Sequence, residues 1–460
     1  MSSTRVCPFE WRYASKEMKR VFSEYNRLNT MARVELVLLR GLVKAGLVPE
    51  DVIEGIENIE LTEEDMLQLR EIEKRVKHET AALIELLSKK YGKLGTYIHL
   101  GATSNDIIDT TWSLLIREAL GIVEAKIVEL LKAIVRLADE HIDTVMVGRT
   151  HGQQALPITL GFKLMNHAYE ISLCLERLLE SHRRLFVLKM SGAVGTMAAW
   201  RDKGLTIEEY VAKELGLRPV EISTQIYSRD RFAELVCELA ILGSVLDRLA
   251  TEIRNLQRTE ISELAEPYYK GQVGSSTMPH KINPINCERV SGLARFLRGL
   301  CQPSLENIVL WHERDLSNSS CERIILPHIF FTIDEMLNTM IKVVRGLRVF
   351  PERMVENLKK SKGRIMAEAL VVKLIMKGVA REKAYSYVRN LVMKSIKEDR
   401  PFKDIVLEDE FISSILSANE ILECLEYENY LGEYRRICKR AREYVLSIIS
   451  RVETERLRYA

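Results

Sequence analysis

IREALGIVEAKIVELLKAIVRL, Ile116 to Leu137, carries apolar residues at 116, 120, 123, 127, 130, 134 and 137. The steps alternate between four and three, the heptad seam of helices packed side by side. Leu164, Ala168, Ile171, Leu175, Leu178, His182 and Leu185 repeat it. So do Phe232, Leu235, Leu239, Leu242, Leu246, Leu249, Ile253 and Leu256. A seam held this long predicts long helices crossing at roughly +20°. Thirty residues make a rod of about 45 Å. One domain of ordinary width does not cover such rods, so the pattern predicts an all-α bundle shared between subunits. A monomeric bundle is the alternative.

The rest of the chain agrees with a helical protein. Glycine and proline number only 23 and 11 in 460 residues, so breaks are few. Alternating strand patterns are nearly absent. Ser191-Gly192-Ala193-Val194-Gly195 reads as a turn or short hairpin between helices. Three helical domains are expected, over 1–103, 104–350 and 351–460, with the long-helix bundle in the middle. Pro351 suits the first turn of a new helix.

A net charge of +2 gives no pull toward nucleic acid. Charges interrupt the hydrophobic segments, so no run is expected to span a bilayer. The N-terminal MSSTRVCPFEWRYASKEMKR has charges where a signal peptide needs its apolar stretch. A cytoplasmic protein without a membrane partner follows. The eight cysteines form no C-x-x-C and no metal-like cluster. They read as buried thiols. Scarce Gln and plentiful Glu, Arg, Lys, Ile and Val give a hot-environment bias, which opens a second reading in which Cys424 pairs with Cys438.

Polar residues gather where the seams stop. RVKHETAAL holds His78. YIHLGATSNDIIDT packs His99, Thr103, Ser104, Asn105 and Asp106 just before the first long helix, with Ser104 or Asn105 as its expected cap. VGRTHGQQALP holds Thr150 and His151 between Gly148 and Gly152, which let backbone approach something closely. EISTQIYSRD opens the third seam, and GSSTMPHKINP (274–284) follows it. WHERDLSNSSCERI adds Arg314 and Arg323, whose forks bind carboxylate or phosphate. For each single histidine a structural role is the default; three histidine-bearing insertions at helix ends weigh against it. Walker, dinucleotide, zinc-hydrolase and nucleophile-elbow motifs are all missing. The residue set suits proton transfer on a polyanionic small molecule.

GSSTMPHKINP resembles the signature loop of the fumarase/aspartase superfamily. His280 before Lys281 is similar to the adenylosuccinate lyases, and carboxymuconate cycloisomerases share MPHK. KHET, TSND, GRTHGQ, STQIYSRD and WHERDLSNSSCERI complete the adenylosuccinate lyase pattern in order, with Arg12-Tyr13 near the start. The resemblance implies an all-helical, three-domain homotetramer whose active sites draw loops from three chains, with neither cofactor nor metal. It implies release of fumarate from two succinylated purine substrates, adenylosuccinate (giving AMP) and SAICAR (giving AICAR).

That elimination needs a base and an acid on opposite faces of the bond. The resemblance implies His151 as acid, Ser275 as base and His78 assisting the acid. Ser276 is the fallback base and Glu288 the partner fixing the His151 tautomer. It assigns Arg12, Tyr13, Arg314, Ser319 and Arg323 to the phosphate and one carboxylate. Thr103, Ser104, Gln225, Lys281 and Asn283 take the succinyl part. Lys77, Glu79, His99, Thr150 and Ser320 complete the expected substrate-binding set. Gln154 and Asn318 depart from the family's usual histidines. The rivals are another lyase or cycloisomerase of the superfamily and a catalytically silent structural protein on the same scaffold.

Overall fold

In the computed structural model, residues 6–268, 271 and 277–459 are described. After two short helices, Pro8–Trp11 and Lys16–Val21, come α1 (Glu24–Lys44), α2 (Glu63–Val76) and α3 (Glu79–Lys90), followed by α4 (Ser104–Glu140) and α5 (Leu160–Leu185). Then come α6 (Gly204–Leu215), α7 (Asp230–Leu256), α8 (Ile285–Glu306) and α9 (Ser317–Arg345). Pro351 stands at the first turn of α10 (Pro351–Lys359), and α11 (Tyr434–Tyr459) is the last helix. The fold is all-α, with only short two-stranded ladders among the described residues.

The seams do what their spacing implies. Ile116, Leu120, Val123, Ile127, Leu130 and Ile134 are fully buried, as are Leu235, Leu239, Leu242 and Leu246. Even the polar seam position is satisfied: His182 Nε2 lies 2.6 Å from Glu124 Oε1 across the α4–α5 contact. A paired polar group inside an apolar seam penalises slipped registers. One core cluster runs from Met18 through the long helices and takes in Cys438, Val445 and Val452 of α11. A second, smaller one covers Leu370 to Ile421.

Three rods run the same way. Arg229, just before α7, bonds Asp109 near the start of α4 at 2.8 and 2.9 Å, and Glu322 near the start of α9 at 2.8 Å. At the far end, Arg348 after α9 donates to the Glu266 carbonyl after α7. The 37 residues of α4 measure about 55 Å and the 27 of α7 about 40 Å at 1.5 Å per residue. The bundle therefore has two widely separated ends.

Several local expectations need correction. GRTHGQ, a polar insertion in the sequence, lies in a β-hairpin: β1 (Val145–Thr150) pairs antiparallel with β2 (Gln153–Thr159). His151 and Gly152 form its two-residue turn with φ of 54° and 72°, the positive pair that a type I′ turn requires. The register shifts at Gly148, where a Cβ would meet the Leu156 carbonyl at 2.9 Å. Thr103, not Ser104 or Asn105, is the N-cap of α4, and its N–H donates to Asp106 Oδ2 at 2.7 Å. Cys424 and Cys438 are not paired; all eight cysteines are free thiols. Helix α9 is long and apolar enough to cross a membrane by length and composition, which the interrupted hydrophobic pattern did not suggest; 67% of its most apolar window is buried inside the protein.

Candidate active site

Most of the expected residues fall into two groups, one at each end of the rods, while the Arg12–Tyr13 segment lies between them along the middle of α9. At the first end, α3 begins with His78 as its N-cap. His78 Nδ1 accepts from the Ala81 N–H at 3.2 Å, so the neutral ring carries its proton on Nε2. Nε2 reaches Ser104 Oγ at 3.4 Å. The capping bond thus fixes the tautomer and aims the proton at the start of α4. Lys77 precedes it as an exposed left-handed residue ending α2.

Glu79 serves mainly other protein groups. Arg27 of α1 grips its carboxylate with both nitrogens, Nη1 at 2.7 Å, and Arg323 stands 3.9 Å away. Burial alone would raise the Glu79 pKa, but Arg27, with Arg323 and His78 beyond it, holds the group below the usual carboxylate range. Arg27 is a site residue that the motifs do not contain. Its only sequence signal is a charge four residues before Met31, where the buried run of an amphipathic helix begins.

Arg27, Arg229, Arg314 and Arg323 line one cleft with Glu79 and Glu322. With Asp109 behind Arg229, four guanidiniums face three carboxylates, which still leaves an excess of positive charge that suits an anionic ligand. Burial presses the Arg314 pKa below its ordinary value, against the pull of Asp109 and with the push of Arg229. Its Nη1 reaches Gln225 Oε1 at 3.3 Å. Ser319 is half-buried in the cleft wall, and Ser320 is exposed beside it. Among the described residues, Arg314 Nε, Asn105 Nδ2 and Thr111 Oγ1 are buried without a hydrogen-bond partner. Such orphaned polar atoms in a cationic cleft are what a polar ligand would satisfy.

His99 turns away from solvent. Its Nδ1 meets fully buried Glu35 at 2.7 Å. Burial lowers the imidazole pKa, but Glu35 outweighs burial and the group ends above its ordinary value. The Arg12 guanidinium stacks over the Tyr13 ring at 5.8 Å. This pair packs on α9 through Phe9, which touches His328 and Phe331.

The second end carries the hairpin. His151 is exposed at its tip and Thr150 is exposed beside it. The base of the hairpin is anchored hard. Arg149 binds fully buried Glu263 through two contacts of 2.7 and 2.8 Å. Asn357 of α10 donates to the same carboxylate at 2.8 Å, and Gln154 Nε2 donates to the Asn357 carbonyl at 2.9 Å. Gln154 therefore ties the hairpin down. Lys281, Asn283 and Glu288 lie at this end too: Gln257, just past α7, donates to the Ile282 carbonyl at 3.2 Å. Lys281 and Glu288 are exposed. Ser275 and Ser276 lie outside the described residues.

The chain thus places His78, Ser104, Gln225, Arg314 and Arg323 at one end. It places His151, Lys281 and Glu288 at the other. The rods between them measure tens of ångströms.

Comparison with known proteins follows the same lines. Residues 10–299 match a family model described as Lyase, and residues 363–441 match the adenylosuccinate lyase C-terminus. The chain is 48% identical over 441 residues to the adenylosuccinate lyase of Pyrococcus abyssi, covering 96% of this chain and 98% of that one. Identity to the adenylosuccinate lyase of Pyrococcus horikoshii is 47% over 441 residues, with the same coverages. The 3-carboxy-cis,cis-muconate lactonizing enzyme of Pseudomonas putida superposes with a TM-score of 0.86 at 30% identity, over 96% of this chain and 99% of that structure.

Proposed function

The chain belongs to the adenylosuccinate lyase family, and from that premise we propose that it cleaves adenylosuccinate to AMP and fumarate, and SAICAR to AICAR and fumarate. One observation carries the reading: the match continues through residues 363–441 as an adenylosuccinate lyase C-terminus, beyond the general lyase region. The cationic cleft at the first end, with orphaned donors, supports a substrate bearing phosphate and carboxylates.

The reaction removes a proton from the carbon beside a carboxylate and expels a nitrogen, which must leave as an amine. His151 serves as the acid for that nitrogen. Ser275 serves as the base, its alkoxide stabilised by Lys281 and backbone N–H groups. His78, with Nε2–H aimed at Ser104, orients the acid side. Arg12, Tyr13, Arg314, Ser319 and Arg323 hold the phosphate and one carboxylate. Thr103, Ser104, Gln225, Lys281 and Asn283 hold the succinyl part.

An exposed acid at one end and a nucleotide cleft at the other make sense if copies of the chain interleave. The working form is a homotetramer in which the His151 hairpin of one subunit reaches the cleft of another. It acts in the cytoplasm of an organism that lives hot, and divides into three helical domains at 1–103, 104–350 and 351–460. The separate core around Leu370 to Ile421 supports the last boundary.

The test is direct. Purified protein is mixed with adenylosuccinate, and ultraviolet absorbance and fumarate are followed across temperature. Fumarate and AMP in equal amounts are expected. No fumarate at any temperature at which the protein stays folded would overturn the reading.

A further inference from the structure

Loop 191–195 sits between two of the segments just assigned to the succinyl group. Behind it lies a fully buried ion pair, Asp106 with Lys189, at 2.7 Å. The proposed mechanism uses neither residue. Both are charged and wholly out of solvent, a placement that costs several kcal/mol per ion unless well compensated.

The compensation is geometric. Asp106 Oδ2 accepts from the Thr103 N–H at 2.7 Å, which fixes the start of α4. Asp106 Oδ1 accepts from Lys189 and from the Ser191 N–H at 2.8 Å, and the Gly192 N–H lies 3.1 Å from Oδ2. Lys189 also donates to the Gly192 carbonyl at 2.8 Å. One carboxylate thus holds two separate segments together, 103–106 and 191–192.

The loop then meets a third segment. Ser191 Oγ lies 2.8 Å from Ser223 Oγ. Gly195 has φ of 94°, and a Cβ there would fall 2.0 Å from the Ser223 carbonyl oxygen. On its other flank, a Cβ on Gly192 would come 3.5 Å from the Gly101 carbonyl. Segment 223–225 leads on to the Arg side of the cleft, because Thr224 Oγ1 donates to the Glu313 carbonyl at 2.8 Å and Gln225 meets Arg314.

We propose that loop 191–195, locked by the Asp106–Lys189 pair, is a wedge that sets the spacing between Thr103–Ser104 and Ser223–Gln225. Asp106, Lys189 and Gly195 are positioning residues: they touch the segments that grip the succinyl group, not the substrate. The inference rests on the proposed function and deepens it. Catalytic groups tolerate displacements of well under an ångström. A glycine in van der Waals contact with a carbonyl is a spacer that any larger residue must lengthen.

Two variants test it, in the assembled enzyme. Gly195→Ala lengthens the wedge. Lys189→Met removes the buried cation while leaving Asp106 its backbone donors. Competitive inhibition by fumarate and by AMP is measured for each against the wild type. Fumarate affinity is expected to fall roughly tenfold or more, and AMP affinity to stay within about threefold. A purely structural role would lower the active fraction and leave both inhibition constants alone. Unchanged fumarate inhibition in Gly195→Ala, or equal loss of both ligands, would overturn the inference; this variant decides if Lys189→Met does not fold. Wild-type protein that releases no fumarate would instead sink the proposed function itself.

Discussion

The Nε2 of His78 lies 3.4 Å from Ser104 Oγ, while Nδ1 of the same ring caps helix α3. One side chain therefore caps a helix with one nitrogen and faces the start of α4 with the other. His78→Asn separates them. Asparagine is a strong N-cap, so thermal stability should change by less than about 1 kcal/mol. Turnover of adenylosuccinate should fall about 10²-fold or more as the reach to Ser104 is lost. Equal turnover in wild type and variant would remove His78 from the chemistry.

His151 offers a similar separation. It is exposed, with φ of 54° in a tight turn, a conformation that asparagine adopts readily. His151→Asn should keep the unfolding free energy within about 1 kcal/mol of wild type and reduce turnover by about 10² to 10⁴. Pre-steady-state fumarate release would check the chemical step.

The hairpin that presents His151 depends on the Arg149–Glu263–Asn357 network. Glu263 is fully buried, so Arg149→Met leaves a charge unpaired. A loss of about 3–5 kcal/mol is expected by denaturant unfolding. Turnover should fall as well, because the hairpin that carries His151 loses its anchor.

Glu208 of α6 gives a pH signature. Burial, with Asp106 and Glu209 adding repulsion against the pull of Lys189, pushes its pKa up to about 7. The folded protein therefore binds this proton more tightly than the unfolded chain. Between the ordinary carboxylate pKa and about pH 7, rising pH removes that advantage. Glu208→Gln should match the wild type near pH 4 and exceed it by about 1–3 kcal/mol at pH 8. Calorimetric scans at the two pH values would show it. An equal shift at both would mean that Glu208 is already ionised throughout.

The long helices were legible because the seam from Ile116 to Leu137 is periodic over six steps, and a period needs no tertiary knowledge. The hairpin was not, because Gly148 breaks the strand alternation and His151-Gly152 is an uncommon turn pair. Thr103 as cap was signalled by Asp106 three residues on, a capping-box spacing masked by the polar crowd between them. The motifs gave His78, Ser104, Gln225, Arg314 and Arg323, which gather at one end. They could not give Arg27 or Lys189. A charged residue on an amphipathic helix, or in an apolar run such as Val187 to Met190, reads as solvated until its buried partner is seen.

The separation of His151 from the arginine cleft along one chain leads to a single decisive measurement. Differently tagged His151→Asn and Arg314→Met chains, each inactive alone, are co-expressed, and oligomers bearing both tags are isolated. Fumarate release well above either parent is expected, since some sites then combine an intact hairpin from one subunit with an intact cleft from another. Mixed oligomers as inactive as their parents would contradict a site built between chains.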